Sequence, residues 1–459
     1  MEYLGIPVSL RNRPPLDPDF LPLHRFSESF LATARRPFSL AVERPGGVAV
    51  CRTRIHGTSD RFAADVYHVE RCLKTLLWVK GGYRVHLSGD ADVCAALRRI
   101  YAPGGARAFD ACFMADVYRQ PFQVIESDLL PARQDDFRPL GGHLRGYRIG
   151  FDAGGSDRKV SALIDGRIVY SQEVVWHPAQ STDPAYHYDG VVSSLRAAAA
   201  HLPRVDAVGI SSAGILLDNR IMRSSLFRGI PPEAADDVPD LYLRAVTDTF
   251  GSVPCAAAND GDVSALAGAM ALGERSLLGI AMGTSQAGGF VDAGGRITGW
   301  LNELAFVPVD VRPDAAADEW SGDVGCGAQY FSQEAVIRLA AVAGIPLDDH
   351  LSPAEKLQQV QTLLEHDDPR PAAVFDTIGV YLAHALAQYH TIYGFHHVLL
   401  LGRVTSGHGG EHILARCRAV LADEYPAVAR AVHLTLPDES FRRLGQSAAA
   451  ASLPALPLL

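Results

Sequence analysis

Two acidic residues stand in settings where a carboxylate does chemistry. Asp260 closes the short apolar run SVPCAAAND (252–260) and opens a stretch in which Val263, Leu266, Ala267, Met270 and Ala271 fall on one helical face. A strand running into a helix in this way delivers its last side chain to the end of a sheet, where a carboxylate can accept the proton of an attacking hydroxyl. Asp152 opens the glycine run DAGGS (152–156). Glycines between two strands let backbone N–H groups approach an anion with no Cβ in the way. An acid beside such a loop can orient, directly or through water, the divalent cation that a polyphosphate brings. Base, phosphate cradle and cation ligand are the parts that phosphoryl transfer uses. Taken singly, each has a plainer reading. Asp260 can be a turn residue or helix N-cap in N-D-G-D, with Asp262 the better cap, and the glycines can be a hairpin that needs positive φ.

The glycine hairpin occurs twice, which weighs against the plainer reading. GFDAGGSDRKVSALIDGRI (150–168) recurs at an offset of 129 as GIAMGTSQAGGFVDAGGRI (279–297). Gly150, Gly154 and Ser156 match Gly279, Gly283 and Ser285, and Gly166, Arg167 and Ile168 match Gly295, Arg296 and Ile297. Asp152 is matched by Ala281, as expected if both loops hold phosphate while one carboxylate suffices for the cation. Neither copy is another familiar cradle. Gly289 stands where a P-loop needs lysine, and no G-x-G-x-x-G follows a strand with an acid about twenty residues on.

The surrounding elements alternate between strand and helix, which implies an α/β architecture. RIGFDAG, KVSALID and RIVYSQEVV read as strands, the last two joined by a tight turn at Asp165-Gly166. DAVGISSAG (206–214) is a strand ending in small residues, and Ser211, Ser212 and Gly214 are placed to line an acceptor pocket, with Asn219 and Ser225 weaker candidates. LLGIAMG begins the second hairpin, which turns at Gly294-Gly295, and the stretch from Phe375 to Leu401 reads as a buried helix running into a strand. The polar stretch LLPARQDDFRPLGGHLRG (129–146) reads as a linker. Before it come a hairpin about Gly46-Gly47, a helix at RFAADVYHVERCLKTLLWV, a strand at YRVHLSG, a helix at ADVCAALRRIY and a strand at PFQVIES. That order invites the idea of a degenerate third copy of the lobe.

Composition sets outer limits. The length of 459 residues implies two or three domains, and 48% hydrophobic with 20% charged residues is a globular composition. The net charge of −10 gives no pull toward nucleic acid or an acidic membrane. Residues 1–146 carry 20 Lys and Arg against 16 Asp and Glu, too small an excess for a DNA-binding arm. The seven cysteines are scattered without C-x-x-C, so neither a disulfide framework nor a zinc ribbon is encoded. With no apolar run after the basic residues of the N-terminus, a cytoplasmic protein is expected.

The ordered set DAGGS (152–156), SSAG (211–214), NDGDVSALAGA (259–269), GIAMGTSQAGG (279–289), NEL (302–304), GDVGCGAQYFS (322–332) and LLGRVTSG (400–407) resembles the ROK sugar kinases of the hexokinase, actin and Hsp70 superfamily. The resemblance covers about residues 147–450. It implies two ribonuclease H-like lobes in the actin-like ATPase fold, with an additional N-terminal α/β domain. The expected domains are 1–146, 147–260 and 261–459, the last helix being able to return to the first lobe.

By the same resemblance Asp152, Gly154, Gly155 and Ser156 form the first phosphate loop, and Gly283, Thr284 and Ser285 the second. Gly402 falls in the adenosine-binding stretch, although Arg403 replaces a second glycine there. Asn259 holds the acceptor, Asp260 is the catalytic base and Glu303 contacts the sugar. Many members hold a structural zinc with one histidine and three cysteines, but here those positions are Phe306, Glu319, Ser321 and Cys326. One ligand of four cannot build a closed tetrahedral site, so no zinc is expected. Loss of the histidine makes a modified sugar or cyclitol as suitable an acceptor as a hexose. His408, Glu411 and His412 satisfy H-x-x-E-H, but Gly409 and Gly410 weaken the helix that a zinc peptidase requires. The expectation is an ATP- and Mg²⁺-dependent kinase for a hydroxyl of a hexose, amino sugar or cyclitol, working as a homodimer without nucleic-acid or membrane partners. The rivals are a sugar-responsive regulator of the same family and a nucleotide hydrolase that needs no small acceptor.

Overall fold

Two-residue alternation at 36–55 builds the first sheet. After a short antiparallel pair, β1 (Glu2–Tyr3) and β2 (Ile6–Pro7), and helix α1 (Leu23–Thr33), strands β3 (Arg36–Arg44) and β4 (Gly47–Ile55) form a hairpin at Gly46, whose φ is +77°. Helix α2 (Phe62–Lys80), strand β5 (Arg84–Ser88), helices α3 (Ala91–Ile100) and α4 (Ala108–Tyr118) and strand β6 (Gln123–Glu126) complete a sheet of order β4-β3-β5-β6. Asp90 caps α3 by accepting from the N–H groups of Asp92 and Val93. The computed structural model describes residues 1–134, 140–366, 368–437 and 439–456, with the backbone alone for 439–444. Of the stretch read as a linker, residues 135–139 lie outside the described residues, and Gln134 pairs with Val48 of β4.

The second sheet starts at the first glycine hairpin. Strands β7 (Tyr147–Ala153), β8 (Asp157–Ile164) and β9 (Arg167–Val175) form an antiparallel meander. Asp165 and Gly166 both take positive φ, +47° and +81°, as the expected tight turn requires. Helix α5 (Pro184–Ala199), strand β10 (Ala207–Ser212), the small hairpin β11 (Ile215–Leu217) and β12 (Arg220–Arg223), helix α6 (Leu241–Phe250), strand β13 (Cys255–Asn259) and helix α7 (Asp260–Leu272) follow. The order is β13-β10-β7-β8-β9, with β7, β10 and β13 parallel. Alternation sends Ile149, Phe151, Val208 and Ile210 to one face, where they bury with Leu195 of α5 and Leu241 of α6. Each such side chain contributes roughly 1.5–3 kcal/mol on burial. The N-terminal sheet does not repeat this plan. Its β3 and β5 run antiparallel and only β5 and β6 run parallel, whereas β7 and β10 are parallel, so it is not a degenerate third copy.

The remaining elements are β14 (Leu277–Met282), β15 (Gln286–Val291), α8 (Gln333–Val342), α9 (Pro353–Glu365), α10 (Pro369–Tyr393), β16 (His397–Leu401), α11 (Gly407–Glu424), α12 (Pro426–Ala431), β17 (His433–Thr435) and α13 (Glu439–Ala451, kinked at Gly445). Their sheet has the order β15-β14-β16-β17. The third strand of the second hairpin is reduced to a bridge between Val291 and Ile297. Gly409 and Gly410 lie inside α11 instead of breaking it. A Cβ at Gly409 would meet the Phe375 ring and one at Gly410 the Thr405 carbonyl, so the glycines serve close approach.

The chain divides into two compact units. One comprises Met1–Asp136, Ile280–Gly288 and Trp300–Leu436, the other Phe137–Gly279, Gly289–Gly299 and Pro437–Leu459. The N-terminal region is joined within the first unit by buried charge and aromatic contact. Asp323 takes ion pairs from Arg71 and Lys74 of α2, both at 2.9 Å, and from Arg107 at 2.7 Å. Trp78 of α2 stacks on Phe306 with centroids 4.1 Å apart, a geometry contributing about 0.5–1.5 kcal/mol beyond burial. In the second unit α13 covers the face of the sheet opposite α5. Gly150 and Gly209, in register on β7 and β10, admit it, since a Cβ at either would strike the carbonyls of Ser447 or Ala450. No helix among the described residues is long and apolar enough to cross a membrane.

Candidate active site

Strands β7, β10 and β13 end level with one another. Asp152 is in register with Ser211, and Ser212 with Asn259, so the glycine loop, the SSAG end and the start of α7 lie side by side at the C-terminal edge of the sheet. Open α/β sheets bind ligands at this edge. Asp152 is 5% exposed, and burial pushes its carboxyl up to about 6. The Ser211 hydroxyl opposes the rise, the Asp260 carboxylate adds to it, and Lys159, opposite Asp152 on β8, opposes it. Ser211 Oγ is fully buried and reaches toward that carboxyl without a well-formed hydrogen bond.

Asp260 is the first residue of α7, and burial raises its carboxyl above the ordinary value while the Gly261 N–H opposes this. The N-cap is Asn259, whose Oδ1 accepts from Gly261 N–H at 2.7 Å and whose Nδ2 donates to the Gly214 carbonyl at 2.8 Å. Asp262, the residue favoured as cap from sequence, instead accepts from Phe290 N–H at 3.1 Å, because it turns toward β15. With the cap position filled by its neighbour, Asp260 uses only Oδ1, at 3.0 Å from Gly261 N, and Oδ2 makes no hydrogen bond to a described residue. The positive end of the α7 dipole favours its charged form.

The first glycine loop is not held open by positive φ. Neither Gly154 nor Gly155 has it. Gly154 donates to the Asp157 carbonyl at 3.0 Å and accepts from Trp176 Nε1 at 2.8 Å, and its own Cβ would meet the Asp157 oxygen. A Cβ at Gly155 would meet nothing within 4 Å, so that position is open to a ligand. Ser156 is exposed and donates to Asp157 at 3.0 Å. Ser212 needs a correction. Alternation turns it to the α5 and α6 face, where it is fully buried and bonds Tyr242 Oη at 2.7 Å, leaving it no side for an acceptor. Gly214, with φ of +114°, turns the chain into β11, and a Cβ there would strike the Arg223 carbonyl. Asn219 accepts from Ala257 N–H at 2.8 Å and so braces β13.

The other unit carries the second loop. Gly283 donates to the Ser285 carbonyl at 3.0 Å, and its own carbonyl accepts from Gln333 N–H at the start of α8 at 2.8 Å. Thr284 and Ser285 are both exposed at the turn. Gly402 has φ of +95°, and a Cβ there would strike the Met282 carbonyl, so β16 and β14 end in contact. Glu303 is held through its backbone N–H, which donates to the Trp78 carbonyl of α2 at 3.0 Å. The preceding Asn302, at φ of +53°, donates to the Val79 carbonyl at 3.1 Å. That brace from the N-terminal domain left no mark in the sequence, since backbone carbonyls carry no residue signal. Lys159 and Trp176 were also missed, although the alternation of KVSALID places Lys159 beside Asp152.

At the four positions that the resemblance aligns with a zinc site, Phe306 is stacked on Trp78, Glu319 is exposed, Ser321 donates to Asp318 at 2.7 Å and Cys326 is fully buried, its thiol pushed up by burial to about 12. Among the described residues no group of three or more His, Cys, Asp or Glu is arranged to hold a metal ion. His408 bonds Glu411 at 3.0 Å and His412 bonds Asp376 at 3.1 Å, so the two histidines are directed to different partners.

Residues 148–436 match the ROK family. Among solved structures, the ROK hexokinase from Thermus thermophilus is 22% identical, with a TM-score of 0.51 over 67% of this chain and 97% of that one. A ROK family transcriptional regulator, a homologue of the E. coli MLC protein, is 16% identical, with a TM-score of 0.53 over 70% of this chain and 80% of that one. A ROK family glucokinase from Streptomyces griseus, solved with glucose and AMPPNP, is 20% identical over 67% and 98% of the two chains, with a TM-score of 0.46. At these identities the likeness to the hexokinase and the regulator establishes the fold alone. No curated protein matches the chain in sequence.

Proposed function

The chain belongs to the ROK family, and on that premise we propose that it is an ATP-dependent kinase acting on a hydroxyl of a sugar or sugar-like polyol. The observation that carries the reading is the level ending of β7, β10 and β13. It sets a buried acid, Asp152, and a half-buried one, Asp260, at one edge of one sheet, close enough for the charge of Asp260 to act on Asp152. Asp260 is the proposed base. It has a carboxylate oxygen without a partner among the described residues, a position at a helix start and a neighbour, Asn259, that fixes the turn. Asn259 and Glu303 are the proposed acceptor contacts. The reading assigns the nucleotide phosphates to Gly154, Gly155 and Ser156 and to Gly283, Thr284 and Ser285, with Gly402 beside the adenosine.

Asp152 suits Mg²⁺. Its carboxyl is buried, carries a raised affinity for protons and has the unsatisfied Ser211 hydroxyl at hand, so a hard cation with oxygen ligands would relieve the burial of charge there. Mg²⁺ bound with nucleotide would supply charge neutralisation for the transferring phosphoryl group. Asp152 orients that charge, Asp260 takes the hydroxyl proton, and the open Gly155 position admits phosphate oxygens. The test is ADP release over a panel of hexoses, amino sugars and cyclitols, with Asp260→Asn as control. Acceptor-dependent release that this variant keeps at full rate would remove Asp260 from the role.

The regulator reading draws on the likeness to the MLC homologue. Residues 1–134 are a sheet-based α/β domain with the order β4-β3-β5-β6. Salt-sensitive retention of genomic fragments in a gel shift, without acceptor-dependent ADP release, would favour that reading.

A further inference from the structure

The first unit holds an open-mouthed cavity of about 510 Å³, walled mostly by the N-terminal region, that none of the proposed kinase residues lines. Its walls are residues 48–53 of β4, the residues of α1 and α2 at helical spacing that meet it, and Gln388, Thr391 and Ile392 of α10. The volume lies within the range of small-molecule sites, roughly 300–1,000 Å³. Leu23, Leu31, Val50, Leu76 and Ile392 give it an apolar body.

Its polar lining is built and positively biased. Arg44, Arg52, Arg71, Lys80 and Arg133 line it against one acid, Glu28, which is already paired with Arg25 at 2.8 Å. Three lining side chains are more than nine-tenths buried and each keeps a polar atom without a hydrogen-bond partner: His68 Nδ1, Arg71 Nη2 and Gln388 Oε1. The rest of each side chain is fixed. His68 Nε2 bonds Thr53 Oγ1 at 2.8 Å, Arg71 Nη1 pairs with Asp323 at 2.9 Å, and Gln388 Nε2 donates to the Pro308 carbonyl at 3.0 Å. Burying a polar atom unsatisfied is unfavourable, and three around one cavity mark a place where a ligand or water completes the bonding. Arg52 stands exposed at the rim and makes no side-chain hydrogen bond or ion pair among the described residues. His68, stacked on Phe30, is held neutral by burial, so it offers a hydrogen bond while the arginines and Lys80 supply the charge.

We propose that this cavity is a second ligand site, separate from the kinase site, for a small organic anion whose phosphate or carboxylate head meets the guanidinium groups and whose apolar body lies against α1, α2 and α10. Guanidinium forks take either head in paired hydrogen bonds. The proposal does not depend on kinase activity.

Calorimetric titration of the full chain tests it with four probes: benzyl phosphate and phenylacetate, which have head and body, and inorganic phosphate and benzyl alcohol, each of which lacks one. At least one of the first pair binds more tightly than both of the second. Arg52→Glu weakens that binding roughly tenfold, the effect of reversing one charge at the rim. Ala49→Trp, which fills the cavity from β4, abolishes it, and Asp260→Asn leaves it unchanged. A phosphate-only or carboxylate-only response identifies the head group within the proposal. No binding of either anion up to about 10 mM overturns it. So does binding that survives both cavity variants, and so does binding that disappears in Asp260→Asn.

Discussion

The two glycine hairpins share Gly154/Gly283, Ser156/Ser285 and Gly166/Gly295 at their turns and differ in what surrounds them. The first is a full three-stranded meander, with Asp152 facing Ser211 and with Trp176 holding the Gly154 carbonyl. The second ends after two strands and a bridge, has Ala281 in place of the acid, and is anchored by α8 at Gly283 and by Gly402 against Met282. A loop of backbone donors needs only its turn to be kept, so one copy was free to gather acids while the other became a packing junction. The units that carry the loops differ in the same sense. One keeps raised acids at a sheet edge, and the other keeps a network of paired buried ions under α2.

The comparison breaks first, or holds, at Asp260. Asp260→Asn should lower acceptor-dependent ADP release by about 10²–10⁴-fold with a much smaller change in KM, and without altering the unfolding midpoint appreciably. The reverse is expected in the other unit. Asp323→Ala leaves Arg71 and Arg107 to share Glu70 and Lys74 with Asp110 alone, and should cost about 3–5 kcal/mol in urea unfolding, with any loss of activity following from stability alone.

The pH response should separate the units too. Burial holds His68 and His384 neutral, each down to about 3, with His56 adding for His68 and Arg25 and His24 for His384. Because their folded values lie below the unfolded value of 6.5, the stability they contribute is present above pH 6.5 and is lost as pH falls. His384→Gln, which can keep the bond to Tyr425, should flatten the fall in the urea midpoint between pH 7 and pH 5. Asp152 runs the opposite way, since its raised value favours folding at low pH and that contribution fades as pH rises through about 6.

At the loops, Gly402→Ala places a side chain at φ of +95° against the Met282 carbonyl and should destabilise by about 1–3 kcal/mol, read as a lowered Tm. Gly155→Ala meets neither obstacle and should change stability by less than about 0.5 kcal/mol. It should nevertheless raise the KM for nucleotide, and an unchanged KM would remove that loop from the phosphates.

What the sequence made legible was what local pattern determines. The meander, the Asp165-Gly166 turn, the α2 helix and the run of α10 into β16 are strong periodic or turn signals, and each is present. Helix α4 was missed because apolar residues surround AFDACFMADVY on every side and hide the period. At the site, Asp152, Ser211, Asn259 and Asp260 could be grouped because each sits at a strand end. Ser212 was misplaced because one residue of register turns a side chain to the other face. The cap was assigned to Asp262 because spacing alone does not show that Phe290 needs an acceptor. The glycines of 409 and 410 were read for helix propensity, and close packing against α10 and Thr405 overrode it. The N-terminal sheet could be listed strand by strand but not oriented, since strand direction depends on pairing between distant segments.

Helix α13 lies at the far end of the chain and belongs to the unit that begins near residue 137, filling the groove left by Gly150 and Gly209. During synthesis, therefore, the sheet carrying both acids is made first and waits with one flank bare until residues 437–459 have followed it. A ribosome-stalled product lacking residues 437–459 should expose that flank to a chaperone or a protease, whereas the segment Met1–Asp136 already holds every strand of its own four-stranded sheet.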